Sequence, residues 1–204
     1  MTMTPVVIPQ IETQRLWLRG PIPADVDMWA ACLADDDVTR FVPKAAGTFR
    51  ERAERTLNAY QRGWERHPPD LMGWVIAGKA DGRLIGLCCI DTLERTGDGE
   101  LAYFLCGAAW GQGFMTEAVR AMVRYGFEHG RWDRMVAYTV PANAASGRVL
   151  EHIGFVYEKN VDYREVVGAP NMSAEFADVR SYSLPRERFA PGTALYRVID
   201  AGPS

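Results

Sequence analysis

The stretch from Leu101 to Ala118, LAYFLCGAAWGQGFMTEA, passes from an alternating strand through a glycine-bearing loop into an apolar-faced helix. A strand feeding a helix this directly calls for a strand–helix–strand crossover on a sheet. The first turn of a helix has free backbone N–H groups and a partial positive charge. An anion there gains about 0.3–1 kcal/mol from the dipole alone. Gly111 and Gly113 allow close approach of the backbone, because no Cβ intervenes. The arrangement suits a pyrophosphate. No lysine follows as in a nucleotide-hydrolysing loop, and no Gly-x-Gly-x-x-Gly occurs, so ATP and dinucleotides fit poorly. A plain strand-to-helix turn also accounts for two glycines.

A second segment agrees with a ligand at this place. Asn143-Ala-Ala-Ser146-Gly-Arg-Val-Leu150-Glu-His-Ile-Gly-Phe155 follows the next strand. Asn143 suits a helix N-cap, and Ser146 falls within one turn of it. Asn143 either caps that helix and nothing more, or also turns its amide on a ligand between the two segments. Gly154 stands where a left-handed helix stop is wanted, with Phe155 as its hydrophobic partner.

The remaining pattern places these segments in an α+β order. Arg15–Arg19 alternates as a strand, and Pro23–Leu33 is a short helix with Asp25 and Asp27 in its first turn. Phe49, Ala53, Leu57, Tyr60 and Trp64 recur at helical spacing, so Thr48–Arg66 is an amphipathic helix with its arginines on the solvated face. Trp74–Ala77 and Arg83–Ile90 are strands joined at Asp81-Gly82, a pair that accepts a hairpin turn. Glu100–Leu105 is a strand, Met115–Phe127 a helix, Arg134–Val140 a strand and Ser146–His152 a helix. Phe155–Val166 and Val179–Leu184 close the order as a strand pair. No repeat or linker divides the chain. The expected organisation is one domain over residues 11–185, with residues 1–10 as an extension. The tail, residues 186–204, is read as an appendage and a candidate homodimer contact.

The 204 residues suffice for one buried core, and 48% hydrophobic with 24% charged residues is globular. A formal net charge of -3 provides no basic field for nucleic acid or anionic membrane. No apolar run is long enough to span a bilayer, and the first ten residues lack a secretion pattern. The cytoplasm is the expected location. Cys32, Cys88, Cys89 and Cys106 show neither zinc nor disulfide-framework spacing, so reduced thiols in or near the core are expected, and no metal. Cys88 and Cys89, being adjacent, point to opposite faces of a strand.

Several pieces together resemble the Gcn5-related N-acetyltransferase (GNAT) family, in particular its ribosomal-protein alanine acetyltransferase branch. Glu12-Thr-x-Arg15-Leu-x-Leu-Arg19 resembles the opening strand, Gly82-x-Leu-Ile-Gly86 the central hairpin, and Trp110-Gly-Gln-Gly-Phe-Met-Thr-Glu-Ala118 the coenzyme loop. Asn143-x-x-Ser146 and Val149–Phe155 resemble the late signature. The pieces run from about Ile11 to about Glu165. The family loop commonly has Gln or Arg where Trp110 stands and Gly or Ala where Met115 stands. Many relatives carry a tyrosine acid at the position of Leu150.

The resemblance implies a twisted, mostly antiparallel sheet flanked by helices and split near its centre, with acetyl-CoA as co-substrate. Main-chain groups of Tyr103, Phe104 and Leu105 would pair with the pantetheine arm. The loop and helix start (Trp110, Gly111, Gln112, Gly113, Phe114, Met115 and Thr116) would hold the pyrophosphate. Asn143 would contact the arm, and Ser146 would lie near the thioester. The acceptor would be an amine, either a protein N-terminus or a small molecule. Glu100 is the candidate base, against the plain role of an exposed strand-end glutamate. Ser146 is the candidate donor to the leaving thiolate, against a plain part in the helix cap. Phe41–Lys44, Tyr60 and Trp64 are available for the acceptor side, although the last two fall on the helix stripe. A protein that binds acetyl-CoA as a sensor without turnover is the competing function.

Overall fold

The computed structural model describes residues 7–199. Among these, nine strands form one sheet: β1 (Gln10–Glu12), β2 (Leu16–Arg19), β3 (Leu71–Gly78), β4 (Leu84–Thr92), β5 (Gly99–Leu105), β6 (Arg134–Thr139), β7 (Val156–Val161), β8 (Val179–Pro185) and β9 (Arg197–Ile199). Their order across the sheet is β7-β8-β6-β5-β4-β3-β2-β1-β9. The β5–β6 pair is parallel and the other pairs are antiparallel. Helices α1 (Asp25–Leu33), α2 (Asp36–Thr39) and α3 (Phe49–Gly63) precede β3. Helix α4 (Phe114–His129) joins β5 to β6, and α5 (Ala144–Ile153) follows β6.

Helices cover the sheet on both faces. Ala118, Val119, Met122 and Val123 of α4 pack with Leu18, Trp74, Ile76, Ile90 and Leu101 in one core. On the other face Trp29, Leu33, Ala53, Leu57 and Tyr60 of α1 and α3 pack on Val75, Leu87 and Cys89. Central strand β3 is therefore buried on both sides and reads as a near-continuous apolar run. Gly126 sets the closeness of α4 to the sheet: a Cβ there would fall 2.4 Å from Ile90 Cδ1. Thr48 and Glu51 start α3 as a reciprocal capping box, with the Thr48 N–H donating to Glu51 at 2.8 Å. Phe49, expected on the buried stripe, is exposed, because it sits at the solvent edge of the first turn.

Three expectations need correction. The run Phe155–Val166 is not one strand: β7 ends at Val161, and Asp162 caps a short helix, α6 (Tyr163–Val166), by accepting from the Arg164 N–H at 2.9 Å. The tail is no appendage in its described part. Strand β9 pairs with β1, and Tyr196 lies under the Arg124 guanidinium of α4, so residues 196–199 are built onto the sheet edge; residues 1–6 and 200–204 lie outside the described residues. Cys32 and Cys106 are not free thiols but a disulfide, with Cα atoms 5.3 Å apart. Their sequence separation of 74 hides the pairing, which arises only because the end of α1 packs against the end of β5. Cys88 and Cys89 are free and buried, one in each core, as the strand alternation requires.

Candidate active site

The sheet opens between β5 and β6. Their pairing covers Gly99–Met135, Glu100–Val136 and Leu101–Ala137 and stops there, while β5 runs on to Leu105 and β6 to Thr139. Strand β5 keeps its β4 partner throughout. The Cys106 N–H donates to the Ile85 carbonyl at 2.9 Å, which sets the phase of that ladder. Main-chain groups of Glu100, Ala102 and Phe104 consequently face β4, and those of Tyr103 and Leu105 face the gap. An unpaired strand edge thus lies inside the sheet. Phe104, expected to offer its backbone to the gap, spends it on β4 instead. The Leu105 carbonyl is also occupied, accepting from Trp110 Nε1 at 2.9 Å.

The loop after β5 delivers the mouth of α4 to the same place. Gly111 and Gly113 have φ of 73° and 74°, the left-handed region that side chains disfavour, and a Cβ on Gly111 would meet nothing within 4 Å. Glu117 is the first residue of α4 to bond back, to the Gly113 carbonyl at 3.2 Å. The N–H groups of Phe114, Met115 and Thr116 have no carbonyl behind them in the helix. Met115 turns its side chain into the core and leaves that mouth clear. Arg15 braces the loop: it donates to the Gln112 carbonyl at 2.8 Å and to Glu117 at 2.7 Å, and its guanidinium lies over the Phe114 ring. Burial acts to raise the Glu117 pKa, but hydrogen bonds from Thr13 and Arg15 outweigh it and hold the group below the usual glutamate value. Local sequence gives no hint of this brace, since Arg15 and Gln112 are 97 residues apart.

Helix α5 closes one side. Asn143 Oδ1 accepts from the Ser146 N–H at 3.2 Å, so Asn143 is indeed the cap. Ser146 Oγ lies 2.8 Å from the Tyr103 hydroxyl, which also donates to the Ser146 carbonyl at 3.3 Å. Burial, opposed by the bond to Ser146, raises the Tyr103 phenol well above its ordinary value and keeps it protonated.

Glu100 stands on the opposite face. Side chains alternate along β5, so Leu101 and Leu105 join the α4 core while Ala102 and Phe104 join the α1–α3 core, and Glu100 shares the latter side. Glu100 is not an exposed strand-end glutamate: it is half-buried, and its Oε1 accepts from the Tyr163 hydroxyl at 2.5 Å. Burial pushes its pKa up to about 7, with the Tyr163 bond lowering it and Asp91 raising it. Tyr163 falls within the run expected as a strand, Phe155–Val166, yet Asp162 before Tyr-Arg-Glu is a helix-start signal that marks this turn.

A cavity of about 640 Å³ runs through the gap and joins the two faces. Glu100, Tyr103, Phe104, Leu105, Trp110, Gly111, Gly113, Phe114, Met115, Thr116, Asn143 and Ser146 all border it. Gln112 does not; its side chain donates to the Ala108 carbonyl at 3.1 Å. Phe41 borders the cavity, whereas Tyr60 and Trp64 are buried in the cores.

A mixed sheet opened beside the one parallel pair among its described strands, with a helix mouth and a strand edge at the opening, defines an acyl-coenzyme A transferase fold. Residues 15–156 match the model of the acetyltransferase (GNAT) domain, and the chain belongs to that family of acetyl-CoA-dependent N-acetyltransferases. "Uncharacterized N-acetyltransferase p20" of Bacillus licheniformis is 26% identical over 180 residues, which are 87% of this chain and 97% of that protein. Among solved structures, the ribosomal-protein-S5-alanine acetyltransferase of Vibrio fischeri has the same fold, with a TM-score of 0.70 and 20% identity over 89% of this chain and 99% of that one. RimJ of Mycobacterium smegmatis, solved in complex with CoA-disulfide, superposes with a TM-score of 0.69 and 19% identity over 89% of this chain and 87% of that one. The left-handed glycines, the clear helix mouth and the strand edge fit a phosphate-bearing, amide-bearing arm of that kind. No helix of the described residues is long and apolar enough to cross a membrane.

Proposed function

We propose that this chain transfers an acetyl group from acetyl-CoA to a primary amine by direct attack within a ternary complex. One observation carries the proposal: a single cavity joins the α4 mouth and the Tyr103–Leu105 edge to Glu100 on the other face of the sheet. Acetyl-CoA supplies the acyl group already activated as a thioester. The amides from Gly111 to Thr116 hold its diphosphate against the helix dipole. The Tyr103 main chain and the Leu105 N–H pair with the pantetheine arm like an added strand, and Asn143 contacts the arm from α5.

The nitrogen must reach the thioester neutral. At pH 7 that costs a lysine-type amine about 4.6 kcal/mol and an α-amine about 1–1.4 kcal/mol. Glu100, with a pKa of about 7, is partly ionised at neutral pH and takes the proton, directly or through a water. Tyr163 fixes the carboxylate by donating to Oε1. Across the gap, Ser146 donates to the leaving sulfur, with the protonated Tyr103 hydroxyl behind it. Holding both reactants in the gap provides the rest of the acceleration.

Calorimetry with acetyl-CoA and release of free thiol in the presence of amines test the proposal. Saturable binding and amine-dependent thiol release are expected. Binding with no release to any amine would make the chain a sensor, and absence of binding would end the proposal.

A further inference from the structure

The acceptor half of the cavity is walled by rings. Phe41 follows α2, Tyr138 lies on β6, Tyr163 on α6, and Phe176 on the connection to β8. The Tyr138 and Tyr163 rings are 5.1 Å apart and tilted by 45°, and Tyr163 and Phe176 are 6.4 Å apart. Phe176 is buried with Val140 and Val179, and Phe41, Tyr138 and Tyr163 pack half-buried against them. Glu100 stands among these rings through its bond to Tyr163.

Charge on this side is sparse. Among the described residues that border the acceptor half, Asp37 is the other carboxylate. It lies at the rim, and its partner is Arg40 at 3.4 Å. The Arg40 guanidinium rests over the Phe41 ring, 4.6 Å from its centre. One ammonium can therefore meet Glu100, whereas further out the rim offers an exposed Asp37–Arg40 pair whose charges offset each other.

We infer that the acceptor is a small primary amine carried on an apolar, ring-bearing body. This rests on the acetyltransferase function proposed above. Aromatic walls attract another ring by offset or edge contacts and attract an ammonium over their faces. A polyamine's second ammonium finds the rim carboxylate, Asp37, already paired with Arg40, which leaves little net attraction for it. A peptide brings backbone amides that rings cannot satisfy, and buried unpaired amides are costly.

Initial rates on the full chain with acetyl-CoA and three acceptors test this: 2-phenylethylamine, spermidine and an alanine-initiated hexapeptide. The expected result is a kcat/KM for 2-phenylethylamine at least about tenfold above both others, the scale at which apolar pockets discriminate. Phe41→Ala is expected to raise the KM for 2-phenylethylamine about tenfold while leaving the KM for acetyl-CoA unchanged. Equal or faster transfer to spermidine or the peptide overturns the inference and leaves the acetyltransferase function standing. So does a Phe41→Ala enzyme with unaltered amine KM. Acetyl-CoA binding without transfer to any of the three overturns the amine class alone, whereas failure to bind acetyl-CoA overturns both.

Discussion

On the α4–α5 side of the gap, the groups assigned to the coenzyme are mostly main chain: the edge of β5 and the N–H groups at the start of α4. On the Glu100 side, the wall is made of side chains drawn from four separate segments. The first side needs a backbone shape, and many side chains are compatible with it. Trp110 and Met115 illustrate this, one folded back onto the Leu105 carbonyl and the other sunk in the core. The second side has no such tolerance, because each ring is itself the surface that an acceptor would touch. A fold built this way can keep its coenzyme while its acceptor changes with a few residues on loops.

Glu100→Gln should break the contrast most sharply. A lost general base costs about 10²–10⁴ in kcat at neutral pH, with recovery as rising pH frees the amine. The wild-type rate should climb as pH rises through about 7, where Glu100 ionises, and the variant should lack that limb. An unchanged pH–rate profile removes Glu100 from the mechanism. Stability supplies an independent check. Burial raises the folded-state pKa to about 7 from a reference of 4.5, so the fold favours the protonated form. Stability from this group falls as pH rises between those values. Above pH 7 the glutamine variant should therefore resist urea better than wild type while being the poorer catalyst.

Cys106→Ser comes next. It releases α1 from the end of β5 and should lower stability by about 2–4 kcal/mol in urea melts. Dithiothreitol should lower the wild type to the same level and leave the variant unmoved. Gly113→Val acts on the backbone side. Forcing a side chain into the left-handed region costs about 1–2 kcal/mol, and the KM for acetyl-CoA should rise with little change in the amine KM. If the amine KM moves instead, the two sides are not separate. Ser146→Ala should have the smallest effect, about 0.5–1.5 kcal/mol in kcat, for loss of one hydrogen bond. A loss as large as that of Glu100→Gln would make Ser146 the principal catalytic group.

Short-range pattern carried much of this from the sequence. Periods of two and 3.6 mark β5, α4 and α5; Gly111 and Gly113 mark the turn between the first two; Asn143 and Gly154 mark the ends of the third. These features depend on steric and hydrogen-bonding preferences within a few residues, which any local stretch expresses by itself. The four resembling segments, in their order, extended that to the family and the opened sheet.

What lay beyond the sequence concerns partners brought together only by packing. Glu100 and Tyr163 are 63 residues apart, Cys32 and Cys106 are 74, and Arg15 and Gln112 are 97. No local preference of either residue encodes the other. Whether Glu100 is exposed or enclosed, and therefore whether it titrates near 4.5 or near 7, follows from which elements cover the start of β5. The chain alone determined β5, the glycine turn, α4 and α5 because they are local. The tertiary structure decided the ring wall beside Glu100, the disulfide and the burial of Glu100, because each depends on surfaces meeting across the fold.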